Sequence, residues 1–140
     1  MIILVGLPGS GKSTIATNHY KDFVRINQDE LGSRDKCVAR LHEAVEFHED
    51  VIIDRCNASI RQRSTWLKLA KYYGITDIEC INITTPPKEC FIRALKRKDH
   101  PTIKDLTPGR IHGIINSFNK EYEPPTFDEG FTKITVWENF

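Results

Sequence analysis

The sequence predicts an α/β domain, a parallel sheet of about five strands with helices on both faces. Three observations carry this expectation. Short β-branched runs recur along the chain, segments of helical periodicity separate them, and a glycine-rich turn joins the first run to the first helical segment. Its 140 residues are the size of one domain, and residues 1–140 are read as such.

Taken in order, Ile2 to Val5 is continuously apolar, as a strand covered on both faces should be. Lys12 to Tyr20 follows as the first helix. Phe23 to Ile26, Val51 to Asp54, Ile78 to Ile83 and Lys133 to Val136 complete the strands. Ser33 to Glu49 reads as a helix because Cys37, Val38, Leu41, Ala44 and Val45 fall on one face at 3.6-residue spacing. Ser59 and Gln62 form the capping box of a helix that stops at Gly74, where glycine takes the left-handed conformation. Pro86 and Pro87 suit another first turn. Thr107 and Pro108 open a helix whose stripe is Ile111, Ile114, Ile115 and Phe118, and Glu123-Pro124-Pro125 ends it.

Composition removes several function classes. Hydrophobic residues are 39% and charged residues 28%, with no biased tract, which is the profile of an ordinary globular protein. A formal net charge of +1 argues against non-specific duplex binding, which needs a broad basic excess, although a local basic groove stays open. Cys37, Cys56, Cys80 and Cys90 form no C-x-x-C pair and have no histidine at ligand spacing, so neither zinc nor a disulfide framework is expected. Met1 to Val5 is too short for a signal segment and nothing is long enough to span a membrane; a soluble intracellular protein is the expectation.

Gly6, Gly11, Lys12 and Ser13 meet the pattern G-x-x-x-x-G-K-[S/T], after a strand and at the start of a helix, the context in which it is a phosphate-binding loop. Its glycines allow successive N–H groups and the helix N-terminus to face phosphates. Lys12 supplies a cation to the β- and γ-phosphates, Ser13 an oxygen to Mg²⁺, and Gly9 and Ser10 complete the cradle. ATP and Mg²⁺ are therefore the expected cofactors. Guanine reading by N-K-x-D is not met: Asn119-Lys120-Glu121-Tyr122 lacks the aspartate, and the D-x-x-G match Asp29-Glu30-Leu31-Gly32 follows the loop too closely for a GTPase switch.

Phosphoryl transfer also needs a group to take the proton of the attacking hydroxyl, and a carboxylate at the C-terminal edge of the sheet can do so. Two qualify. Asp29 follows the second strand and Asp54 ends the third; each reads equally well as a turn or capping residue, and the second carboxylate could instead hold water on Mg²⁺. Arg93 and Arg97 lie one turn apart on the helix from Pro86, so both can point at one anion as a short helical lid, or belong with Lys96, Lys98 and Lys104 to a solvated face. Arg55, Arg61, Arg63, Lys68 and Lys71 form a stretch without acids that begins beside Asp54, where its first arginines could hold an anionic acceptor.

Four blocks together resemble the kinase domain of polynucleotide 5′-hydroxyl kinases, over nearly the whole chain: Gly6 to Thr14, Asn27 to Ser33 with Cys37-Val38, Ile53 to Asn57, and Pro124 to Phe131. The resemblance implies a P-loop fold of the nucleotide-kinase type. It implies Asp29 as general base toward the 5′-hydroxyl of DNA or RNA, Thr14 within the nucleotide-binding run, and Asp54 and Asn57 near acceptor and metal. Arg63 falls on the substrate side, where Arg61 of the basic stretch is grouped with it as an acceptor-side residue, and Arg97, with Arg93, on the lid. The chain departs from that pattern at Gln28, where an arginine is usual, and at Arg55-Cys56, where Asn-Thr is common. A kinase of a nucleoside or other small hydroxyl compound is the alternative, and an ATPase or nucleotide-binding module a more distant one. Oligomeric state is not legible.

Overall fold

The computed structural model describes residues 1–97 and 107–138. Lys98 and Lys104 of the expected lid face lie outside them. The elements are β1 (Ile2–Val5), α1 (Lys12–His19), β2 (Val24–Ile26), α2 (Gln28–Leu31), α3 (Arg34–Glu46) and β3 (Val51–Ile53). They continue with α4 (Ile60–Tyr72), β4 (Glu79–Ile83), α5 (Pro87–Lys96), α6 (Pro108–Glu121), a 3₁₀ turn (Phe127–Glu129) and β5 (Lys133–Trp137).

All five strands pair in parallel in the order β2-β3-β1-β4-β5. β1 is central, and the chain leaves it first toward β2 and later toward β4. The crevice at its carboxyl end is thus a topological switch point, where open α/β sheets bind ligands. Both faces of the sheet are covered, which accounts for the unbroken apolar runs. Ile3, Val5, Ile26 and Ile53 pack against Cys37 and Leu41 of α3 and Trp66 and Ala70 of α4. Ile2, Leu4, Ile52 and Ile81 turn to the other face, against Ile15 and Ala16 of α1. A third cluster joins Leu7 to Cys90 and Ala94 of α5 and Ile111 and Ile115 of α6.

Local signals set the helix ends. Ser59 and Gln62 make the reciprocal capping box at α4. Beyond Tyr72, Gly74 adopts φ 75, its N–H bonds the Lys71 carbonyl, and the N–H of Ile75 bonds that of Ala70, a Schellman ending. α3 stops at Glu46, three residues before the expected Glu49, because His48 takes the same left-handed turn at φ 55. The sequence pattern also missed α2. Asn27 caps it by accepting from the Glu30 N–H, so the stretch after β2 is one helical turn rather than a loop.

The conspicuous C-terminal block has a packing role. Arg63, fully buried on α4, donates through Nε and Nη2 to the two Glu129 carboxylate oxygens at 2.7 and 3.1 Å and through Nη1 to the carbonyls of Asn57 and Ala58 at 3.0 Å each. Glu129 also accepts from the Thr126 N–H, Gly130 turns at φ 116, and Phe131 enters the core. The guanidinium so joins the segment after Pro125 to the loop that follows β3. Glu129→Ala would strand a buried cation and should cost about 3–5 kcal/mol of unfolding free energy. A lower urea midpoint at unchanged slope is the expected readout; an unchanged midpoint would show that the pair does not hold the fold together.

Candidate active site

The glycine-rich loop leaves β1 and is fastened from two sides. The Gly6 N–H bonds the Cys56 carbonyl at 3.1 Å, tying it to the loop after β3. On the other side Thr85 Oγ1 and Arg93 Nη1 donate to the Ser10 carbonyl at 2.9 and 3.2 Å. At Gly9, φ is 82 and a Cβ would stand 2.5 Å from the Cys90 carbonyl oxygen of α5, so only glycine lets loop and helix approach so closely. Lys12 folds its ammonium back over the loop, donating to the Gly6 and Leu7 carbonyls at 2.9 and 2.8 Å. An ammonium has three donors, so one remains for a ligand.

Opposite the loop lies a cleft of about 300 Å³ lined by Gly9, Gly11, Lys12, Ser13, Asn27, Asp29, Asp54, Arg55, Asn57 and Arg97, among others. Asp54 is its buried anchor. The Asp54 Oδ2 accepts from Ser13 Oγ at 3.1 Å, from Arg25 Nε at 2.7 Å and from Asn27 Nδ2 at 3.3 Å, while Oδ1 is buried without a partner among the described residues. An orphaned carboxylate oxygen beside a serine hydroxyl is a donor set suited to a hard cation such as Mg²⁺. No group of three His, Cys, Asp or Glu stands together among the described residues as a closed metal cage would need.

Asp29, the second residue of α2, is exposed on the cleft wall, and among the described residues its carboxylate has no hydrogen-bond or ion-pair partner. Arg55 lines the same wall with its guanidinium 5.7 Å from the centre of the buried Trp66 ring, a cation–π contact that leaves its N–H groups unengaged by any acid there.

The expected site residues take different positions. Arg63 meets no acceptor: it is 0% exposed and committed to Glu129 and two carbonyls. Arg61 is exposed on the first turn of α4, away from the cleft lining, and Thr14 is exposed on α1. Asn57 lines the cleft, but its side-chain amide donates to the Leu4 and Arg55 carbonyls while its backbone takes φ 48, so it shapes the loop. Arg97, the C-cap of α5, lines the cleft, while Arg93, one turn before it, bonds the Ser10 carbonyl of the loop and Glu89.

Arg25 belongs to none of the sequence motifs. A cation between Val24 and Ile26 in a strand of a covered parallel sheet was the signal, since such a charge needs buried partners.

Fold and loop together define a P-loop domain of the nucleotide-kinase type. The family model described as an AAA domain matches residues 1–36, the loop and β2 region. A bifunctional polynucleotide phosphatase/kinase of Schizosaccharomyces pombe is 32% identical over 96% of this chain and 32% of its own length. A putative bifunctional polynucleotide phosphatase/kinase of Acanthamoeba polyphaga mimivirus is 29% identical over the same shares. The chain thus spans about a third of these relatives. Chaetomium thermophilum Kti12, crystallised with ADP-AlF3, shares the fold at a TM-score of 0.68 and 18% identity, over 99% of this chain and 88% of that one. Over nearly its whole length the chain is therefore similar to a part of these polynucleotide phosphatase/kinase proteins, and its first 36 residues to the AAA family model. Among the described residues no helix is long and apolar enough to cross a membrane.

The cysteines offer a check on the cleft. Burial pushes the Cys80 thiol up to about 12 and the Cys90 thiol up to about 11, and raises that of Cys37 as well. These three stay protonated at pH 8, whereas Cys56 is partly exposed on the cleft wall. A thiol reagent at pH 8 should therefore modify Cys56 alone in the folded protein, as read by peptide mass analysis. Equal modification of a second cysteine before unfolding would contradict this packing.

Proposed function

We propose that this chain transfers the γ-phosphoryl group of ATP to the 5′-hydroxyl end of a DNA or RNA strand. The observation that carries the proposal is the placing of Asp29 on one cleft with Lys12, Ser13 and Asp54, so that a base, a phosphate cradle and a metal-holding pair surround the same space. The names of the polynucleotide phosphatase/kinase relatives support the acceptor class.

In this mechanism the loop N–H groups, the N-terminus of α1 and Lys12 hold the β- and γ-phosphates. Ser13 would hold Mg²⁺ directly and Asp54 through bound water; when present, the ion neutralises charge shared by the β- and γ-phosphates. Asp29 accepts the proton of the attacking hydroxyl as its oxygen bonds to the γ-phosphorus and the bond to the β-phosphate oxygen breaks, releasing ADP. Arg97 adds positive charge beside the transferring group, while Arg93 acts on it indirectly by fixing the Ser10 carbonyl. Arg55, on the cleft wall, would meet a phosphate of the acceptor strand in place of Arg63.

One observation favours a second acceptor class. A cleft of about 300 Å³ is at the small end for ligand pockets, which suits a nucleoside or another small hydroxyl compound.

Two variants test the proposal. Asp29→Asn should lower kcat on a 5′-hydroxyl oligonucleotide by about a hundredfold or more while nucleotide affinity is unchanged; wild-type turnover would remove Asp29 as the base. Arg55→Ala should raise the oligonucleotide KM and reduce the slope of log KM against log salt by about 0.7, one phosphate contact on a single strand. A slope already flat in the wild type, with nucleosides phosphorylated as well as oligonucleotides, would favour the small acceptor.

A further inference from the structure

Arg25 extends from β2 into the group of residues assigned above to the metal. Its Nε donates to Asp54 Oδ2 at 2.7 Å, its Nη2 donates to Ser13 Oγ at 2.9 Å, and its Nη1 pairs with Glu30 on α2. One guanidinium thereby joins three elements around two oxygens. The Arg25 side chain is 21% exposed and that of Asp54 is 1%, so the contact with Asp54 is poorly screened, whereas Glu30, at 59%, stands at the rim.

The Ser13 hydroxyl proton goes to Asp54 Oδ2, and Arg25 takes one of the two lone pairs on the same hydroxyl. A divalent ion on Ser13 Oγ, at a metal–oxygen distance of about 2.1 Å, would stand no more than about 5 Å from that Arg25 nitrogen. Two cations that close in a partly buried site repel strongly. The guanidinium also draws on the charge of Asp54, which water on the metal would need.

We propose that Arg25 is an internal cation that competes with the divalent metal for Ser13 and Asp54, and that Glu30 retains its guanidinium when metal and nucleotide take those oxygens. Arg25 touches no reacting atom in this scheme; it is a positioning residue that sets how much metal the site requires. The inference rests on the assignment of Ser13 and Asp54 to the metal under the proposed function.

The test is the Mg²⁺ concentration that half-saturates binding of a fluorescent ADP analogue, read by fluorescence without turnover. Arg25→Gln should lower that concentration about fivefold or more. The double variant Arg25→Gln with Glu30→Gln leaves net charge as in the wild type and lets two amides replace the ion pair. It should keep the decrease, and it serves if the single variant fails to melt cooperatively. A half-saturation at or above the wild-type value in Arg25→Gln, or one restored to wild type in the double variant, would overturn the competition. Nucleotide binding by the wild type that ignores Mg²⁺ would instead overturn the metal assignment, and this inference with it.

Discussion

The carboxyl ends of five parallel strands open on one edge, and β1 stands at their centre with β3 and β4 on either side. Pairing of Ile2 with Ile52 and Ile3 with Ile53 sets the register of β1 against β3. That register brings Ser13, which begins the helix after β1, within hydrogen-bond reach of Asp54 at the tip of β3. Because Asp54 is buried, it must be compensated by charge and hydrogen bonds, and β2 supplies both through Arg25 and Asn27. Sheet order and a buried carboxylate thus depend on each other. A slip of one residue between β1 and β3 would move Asp54 away from its partners and turn Ile52 and Ile53 to the opposite faces.

Two further sets of contacts hold the walls of the cleft. Helix α5 and the residues just before it hold the loop by its main-chain atoms: the Ser10 carbonyl takes Thr85 and Arg93, and Gly9 permits the approach of the Cys90 carbonyl. The wall after β3 is held from beneath, where Arg63 grips the Asn57 and Ala58 carbonyls and the Glu129 carboxylate together. Neither arrangement needs its arginine in the cleft. Arginine is suited to this work because its planar fork makes several directional bonds at once.

Much of the fold was legible because it follows from local chemistry. Alternate burial of Ile2, Ile3, Leu4 and Val5 on two faces required the continuous apolar run that marked β1. Ser59 with Gln62 and the left-handed Gly74 delimit α4 by contacts within a few residues. The short α2 was less visible. Its four residues carry no apolar period, and its cap is Asn27, which a turn would use as readily. The end of α3 differs from the periodic pattern because His48, unlike glycine, does not announce a left-handed turn.

The candidate site was legible in its residue types and less so in its geometry. Loop, Lys12, Ser13 and the two carboxylates Asp29 and Asp54 follow from strand-to-helix pattern, and they do meet at one cleft. The arginines were harder, since helical spacing states which face a cation occupies but not whether the face meets solvent, a carbonyl or a carboxylate. Arg63 and Arg93 found partners 66 and 83 residues away along the chain, and Arg25 partners 12 and 29 residues away. By itself the sequence determined the class of fold and the phosphate-binding loop and offered two carboxylates, Asp29 and Asp54, as candidate bases, because each rests on neighbours in the chain. Only the tertiary structure decided which cations reach the cleft and which serve the frame. A long, charged side chain takes whichever partner the packing of distant elements brings to it.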